Sequence, residues 1–198
     1  MKLSLSKCII FLAVVSGLLT ACSTDEFMRT LNMKNCKYTY SSINNLSVAG
    51  IKPAEGLTLV NTASLLNILS GTRSTVPMSF DLTLDVQNPN ATEASFRGVH
   101  YKVNIDGLDF TEGDVKEPFN VAAGETKPLT IKVETDVAHM LKGEARDTSL
   151  NMLKNFVGMG DKESIVKVDL WPTFLVAGQN MQSPVSVPVE FKFGGSTK

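Results

Sequence analysis

Between Val76 and Val86 the chain is apolar at every even position: Val76, Met78, Phe80, Leu82, Leu84 and Val86. Ser79, Asp81, Thr83, Asp85 and Gln87 occupy odd positions of the same stretch. A period of two places one stripe on a core and the other in water, so this segment is a β-strand and not a helix. Burying six such side chains stabilises by about 9–18 kcal/mol gross, before chain entropy is subtracted.

The pattern recurs along the chain. Val99, Tyr101, Val103 and Ile105 form a second strand, and Asp106-Gly107 follows it. That pair predicts a tight hairpin, because both positions of the favoured turn need positive φ. The return strand is expected from Leu108 to about Gly113. Leu129, Ile131 and Val133 mark another strand, and Val166, Val168 and Leu170 one more, which Pro172 is expected to interrupt. Phe174 to Ala177 continues it or starts a short partner. The last strand alternates through Val185, Val187, Val189, Phe191 and Phe193, with Pro188 inside it, so it belongs at a sheet edge. An N-terminal strand is expected across Lys37 to Ile51, broken near Asn44-Asn45.

Two stretches read as helix. A shorter one is expected at about 62–70, in "NTASLLNILSG". The main one is expected at about 147–157, with Asp147 as N-cap, Leu150, Leu153, Phe156 and Val157 on one face, and Gly158 as the stop. Closely spaced strands with one main helical insertion predict an antiparallel β-sandwich of mainly β class, not an α/β enzyme fold.

The N-terminus belongs to a different category. Lys2 and Lys7 precede the apolar run Cys8 to Leu19, which is too short to span a bilayer as a helix. Leu19-Thr20-Ala21-Cys22 then resembles the lipobox of bacterial lipoproteins, which implies cleavage of the signal peptide (1–22, Cys22 retained) and acylation of Cys22. Such an anchor ties the chain to a membrane through its acyl groups. An Asp directly after Cys22 would resemble an inner-membrane retention signal, but Ser23 stands there, so the expected location is the cell envelope at the outer membrane. Ser23-Thr24-Asp25-Glu26 resembles both a surface-export tag and a solvated acidic tether, so the facing leaflet stays open. Residues 23–36 are assigned to the tether and 37–195 to one sandwich domain.

Loss of Lys2 and Lys7 moves the net charge from −1 to −3, and no basic run remains, so nucleic acid is excluded as a partner. Of the three cysteines, only Cys36 keeps a free thiol after processing, and no intramolecular disulfide is expected. Only His100 and His139 are available as bases, without a nucleophile motif beside either. Their spacing fits no metal motif. Asp106, Asp109, Glu112 and Asp114 lack the spacing of a calcium loop and read as a charged hairpin. "FVGMGDKES" follows a helix, whereas a phosphate loop precedes one. No catalytic residue, metal or cofactor is expected. The Met, Leu and Phe stripe of Asn151 to Met159 reads as a face packed on the sheet, with a partner-binding surface as the rival reading.

Asn88-Pro89-Asn90 ends the first alternating strand. Asn side chains bond nearby backbone and Pro89 fixes φ, so the tripeptide reads as a corner of the sandwich. With the strands placed, "LTLDVQNPNATEASFRGVHYKVNIDGLDFTEGDV" and the closing "SPVSVPVEFKFGG" resemble the late embryogenesis abundant type 2 family and the related water-stress and hypersensitive-response domain. The similarity covers about Val76 to Gly195. It implies a fibronectin-type-III/immunoglobulin-like β-sandwich carrying a helix, and a non-enzymatic protein associated with dehydration stress and protection of other macromolecules. Two features depart from the family: the lipobox, and an added segment from Cys36 to Thr75. The expected function is a lipid-anchored binding or stress-protective module of the envelope. The alternative is an interaction subunit of a surface or periplasmic assembly for adhesion or glycan uptake, with a protein partner.

Overall fold

The strongest alternation becomes β2 (Pro77–Gln87), in which Met78, Phe80, Leu82, Leu84 and Val86 are all buried. The computed structural model describes residues 28–53, 59–176 and 178–195. The expected signal peptide, Cys22, the acidic stretch 23–26 and Ala177 lie outside them. β1 (Lys37–Val48) and β7 (Thr126–Asp136) flank β2, both antiparallel to it. The β1–β2 register slips between Tyr40 and Ser42 and again between Asn44 and Ser47, the second where the sequence expected a break. Asn45 there takes φ 53°, and its Nδ2 donates to Asp81 Oδ2 at 2.6 Å.

The second sheet runs in the order β10 (Val187–Gly194), β8 (Glu163–Val176), β4 (Gly98–Ile105), β5 (Leu108–Val115), with β9 (Gln179–Gln182) paired to the far end of β8. A short pair, β3 (Ala94–Phe96) with β6 (Phe119–Val121), lies beside them. All these pairings are antiparallel. The inward stripes of both large sheets meet in one core: Leu82, Leu84, Ile131 and Val133 from one, Val103, Ile105, Val168 and Leu170 from the other. Tyr101 of β4 crosses that core, and its hydroxyl donates to the Lys132 carbonyl of β7 at 3.0 Å. The result is an antiparallel β-sandwich.

Asp106 and Gly107 make the β4–β5 turn with φ of 53° and 85°. Asp106 has a further role. Its N–H donates to the Ile165 carbonyl, and its Oδ1 accepts from the Ile165 N–H at 2.8 Å, which pins the hairpin tip to the start of β8. β10 sits at an edge, which leaves the ring nitrogen of Pro188 without a ladder to break.

Pro172 does not interrupt its strand; β8 runs through it to Val176. The reason is the change of partner on one side of β8. Pairing with β10 ends at Leu170, and pairing with β9 begins at Thr173. The Thr173 carbonyl accepts from Arg97 on the β4 side, and the Pro172 carbonyl accepts from Ser183 on the opposite side. The missing N–H of Pro172 therefore points at the gap between β10 and β9, where no donor is required.

The helix expected at 147–157 is α3 (Arg146–Phe156). Asp147 is not its N-cap. Ala145 holds that position, because a 3-10 turn at Gly143–Ala145 runs directly into the helix and leaves the Asp147 side chain in water. The buried face also differs: Met152 joins Leu153, Phe156 and Val157, while Leu150 is only half-buried. Phe156 inserts among Phe80, Phe110 and Phe193, with ring centroids 4.9–6.3 Å away, and so closes one end of the sandwich. Gly158 takes φ 74°, and the Met159 N–H reaches back to the Lys154 carbonyl, a left-handed stop that a side chain would strain. The second helix, α2 (Leu59–Leu69), is equal in length to α3 and not shorter; among its described side chains Leu65 and Ile68 are buried.

The largest departure from expectation precedes β1. Residues 28–35, assigned to the tether, form a helix, α1, with Thr30 and Met33 buried and Cys36 buried directly after it. The folded domain therefore begins ahead of Lys37. Local sequence does not specify this helix; contacts some sixty residues away do, and they converge on the Asn-Pro-Asn corner.

Candidate functional site

Asn88 is completely buried. A buried side-chain amide is costly unless every hydrogen and lone pair is engaged. Its two Nδ2 hydrogens are shared among the carbonyls of Thr92 at 2.9 Å, Val121 at 3.0 Å and Ala122 at 3.1 Å. Its Oδ1 accepts from the Asn90 N–H at 3.0 Å and from Asn90 Nδ2 at 2.6 Å. The main chain is bonded too: the Asn88 N–H donates to Glu125 and its carbonyl accepts from Gly124. One side chain thus joins the end of β2, the loop after it and the β6–β7 connection. The Asn90 bond to Asn88 Oδ1 closes an Asx turn across Pro89, the local role expected for the tripeptide.

The corner also holds α1. Helix C-termini leave carbonyls without partners inside the helix. Asn90 Nδ2 donates to the Asn32 carbonyl at 3.0 Å, and the Tyr38 hydroxyl donates to the Met33 carbonyl at 2.9 Å. In return Asn32 Nδ2 donates to Thr92 Oγ1 at 2.9 Å and to the Glu93 carbonyl at 3.1 Å. Arg29 pairs with Glu93 at 2.7 Å. The loop 88–93 and α1 form a reciprocal clasp whose partners lie 55–64 residues apart in sequence.

Cys36 sits under this clasp, its Sγ 3.4 Å from the Asn32 carbonyl and 3.9 Å from Asn88 Oδ1. Burial pushes its thiol up to about 11, which keeps it protonated and unreactive at neutral pH. Burial, with a smaller contribution from Cys36, also raises Tyr38.

The other residues singled out in the sequence do not assemble around the corner. Asp106 and Gly107 are at the hairpin tip. His100 is on the outer face of β4, where Nδ1 lies 3.0 Å from Asp114 Oδ1 and the ring stands beside Trp171. Asp109 bonds Lys102 and Asn104 along the hairpin, and its carboxyl is held below the usual range by those two contacts. Among the described residues no group of three or more His, Cys, Asp or Glu side chains is placed to hold a metal ion. No described helix is long and apolar enough to cross a membrane. The Met, Leu and Phe stripe of Asn151 to Met159 packs inward at Met152, Leu153 and Phe156, while Met159 at its end is exposed.

One surface feature escaped the sequence. A groove of about 480 Å³ separates α1 from the β8–β9–β10 side of the sandwich, lined by Leu31, Pro172, Phe174, Met181, Pro184 and Val185 among others. Leu31, Met181 and Val185 are exposed there. Local pattern could not reveal it, since its walls come from a helix read as tether and from an edge strand joined to the end of β8.

A family model described as late embryogenesis abundant protein matches residues 83–156. No curated protein sequence matches the chain. Nine chains of solved structures match. They include a protein from Archaeoglobus fulgidus, 11% identical with a TM-score of 0.36, covering 81% of this chain and all of its own. A protein from Arabidopsis thaliana is 15% identical with a TM-score of 0.40, covering 82% of this chain and 85% of its own. A putative late embryogenesis abundant protein is 18% identical with a TM-score of 0.38, covering 96% and 89%.

Proposed function

We propose that this chain is a lipid-anchored, non-enzymatic envelope protein of the late embryogenesis abundant type 2 kind, acting as a binding or stress-protective module. The observation that carries the reading is the family match over 83–156, which spans the Asn88 corner, the Asp106-Gly107 hairpin and α3. Leu19-Thr20-Ala21-Cys22 supports acylation of Cys22 and a place at the outer membrane. The protein acts through its surfaces: edge strands and end loops on a rigid sandwich are natural recognition elements. Labelled palmitate tests the anchor, because it is incorporated by the wild type and lost from Cys22→Ala. Heating a labile enzyme with the purified protein tests protection, and an effect no greater than that of albumin refutes it.

The groove beside α1 favours a second reading, an interaction subunit of an adhesion or glycan-uptake assembly. Crosslinking on intact membranes separates the two: one stoichiometric partner supports the subunit, and a spread of weak contacts supports the protective module.

A further inference from the structure

The groove and the outer face of α1 form an apolar surface close to the proposed anchor. Met28 and Leu31 lie three residues apart on α1 and are 54% and 43% exposed. Met181 and Val185, across the groove, are 48% and 53% exposed. The remaining exposed large apolar side chains among the described residues, Leu66, Met159 and Ile165, belong to α2, the α3–β8 connection and the start of β8, the end away from the groove. The apolar exposure is therefore concentrated at one place, where a soluble surface would disperse it. Lys34, exposed one turn beyond Leu31, contributes a cation to the same wall.

Chain length identifies what covers this surface. Only residues 23–27 separate Cys22 from α1. Fully extended, that link spans about 20 Å, less than the roughly 30 Å hydrocarbon thickness of a bilayer. An acylated Cys22 thus keeps the start of α1 within about 20 Å of the lipid surface. The geometry points to this face as a membrane-docking surface: Met28, Leu31, Met181 and Val185 enter the acyl region of the anchoring leaflet, and Lys34 meets anionic headgroups. The inference rests on the lipid-anchor reading above. It adds an orientation, with the α1 and β9 side down and the Asp106-Gly107 tip away from the lipid. An amphipathic surface of this kind buries about 5–10 Å into the interface, and its cation adds attraction to anionic lipid.

The test uses the full chain, purified from membranes and reconstituted into phosphatidylcholine–phosphatidylglycerol vesicles with plain or acyl-brominated lipid. Trp171→Phe provides a background without tryptophan, and reporters are introduced as Leu31→Trp, Met181→Trp and, as control, Ile165→Trp. Ile165 lies seven residues along β8 from Pro172, roughly 23 Å away. Circular dichroism verifies that each variant is folded, and two reporters on different elements guard against the loss of either one. Brominated lipid is expected to quench positions 31 and 181 about twofold and to leave 165 nearly unchanged. Equal quenching at all three positions overturns the inference. So does a crosslinked dimer through positions 31 and 181 without quenching, which assigns the groove to a second copy. Labelled palmitate on the same samples separates the two claims. Palmitate without selective quenching refutes docking and keeps the anchor, selective quenching without palmitate refutes the anchor and keeps the docking face, and absence of both refutes both.

Discussion

Asn88→Ala removes the amide that joins three segments. The Val121 carbonyl loses its Asn88 partner in a buried setting, at a cost of about 1–3 kcal/mol. The Thr92 and Ala122 carbonyls and the Asn90 N–H lose partners at sites water can partly reach, about 0.5–1.5 kcal/mol each. Because two amide hydrogens serve three carbonyls, the total is taken as about 3–5 kcal/mol, a large share of the 5–15 kcal/mol typical of a domain. Denaturant unfolding followed by Trp171 fluorescence measures it, and the melting temperature is expected to fall by roughly 10 °C. A second readout follows from the clasp: loss of Asn88 Oδ1 loosens Asn90, then α1, and Cys36 becomes open to thiol reagents under native conditions. Asn88→Asp sharpens the reasoning. At neutral pH it presents an acceptor-only carboxylate to three carbonyls, so it should be no more stable than Asn88→Ala. Burial raises that carboxyl in the folded state, so the variant's deficit should shrink as pH falls and the proton restores one donor. A loss under about 1 kcal/mol for Asn88→Ala would refute the account of the corner as a hub.

Gly113→Ala places a Cβ 2.7 Å from the Tyr101 hydroxyl oxygen, which must leave the Lys132 carbonyl; a loss of about 1–3 kcal/mol is expected. In a Tyr101→Phe background the same change should cost less, and additive losses would disprove the coupling. Native Cys36 should react with maleimide at neutral pH only as fast as the chain opens, so labelling as rapid as that of a free thiol in urea refutes its burial. Asp136 accepts from the Val76 and Ala138 N–H groups at 2.9 Å each, which holds its carboxyl below the ordinary 3.8. Its contribution is present above pH 3.8 and is lost as pH falls through the lower folded value, so Asp136→Asn should flatten the acid limb of the stability profile. An unchanged acid limb counts against that role.

The large strands were legible because burial on one face writes a period of two into β2, β4, β7 and β8. The hairpin turn was legible for the same kind of local reason, since Asp106-Gly107 carries its own conformational preference. Helix existence was readable at α3, but its cap was not, because a preceding 3-10 turn supplies the first helical geometry in place of Asp147. Pro172 misled for a related reason: whether a missing N–H matters depends on which neighbour lies opposite, and that neighbour changes at this residue. β3 and β6 are three residues each and carry no period to detect. α1 was invisible because its stability is non-local, fixed by Asn90, Thr92 and Glu93 far along the chain. The tripeptide's turn was therefore readable, while its larger task, holding a helix, was not.

The clasp gives the domain a mechanical property. Among the described residues, load applied from the N-terminal side enters α1 first, and its bonds to the 88–93 loop resist it there. Released as extended chain, the eight residues 28–35 lengthen from about 12 Å of helix to about 28 Å. The sheets need not open for this to happen, since β1 is paired along its length to β2 and begins only after Cys36. The sandwich thus has a short reach with the latch closed and a longer one with it sprung, and the bonds between α1 and the 88–93 loop together set the threshold between them.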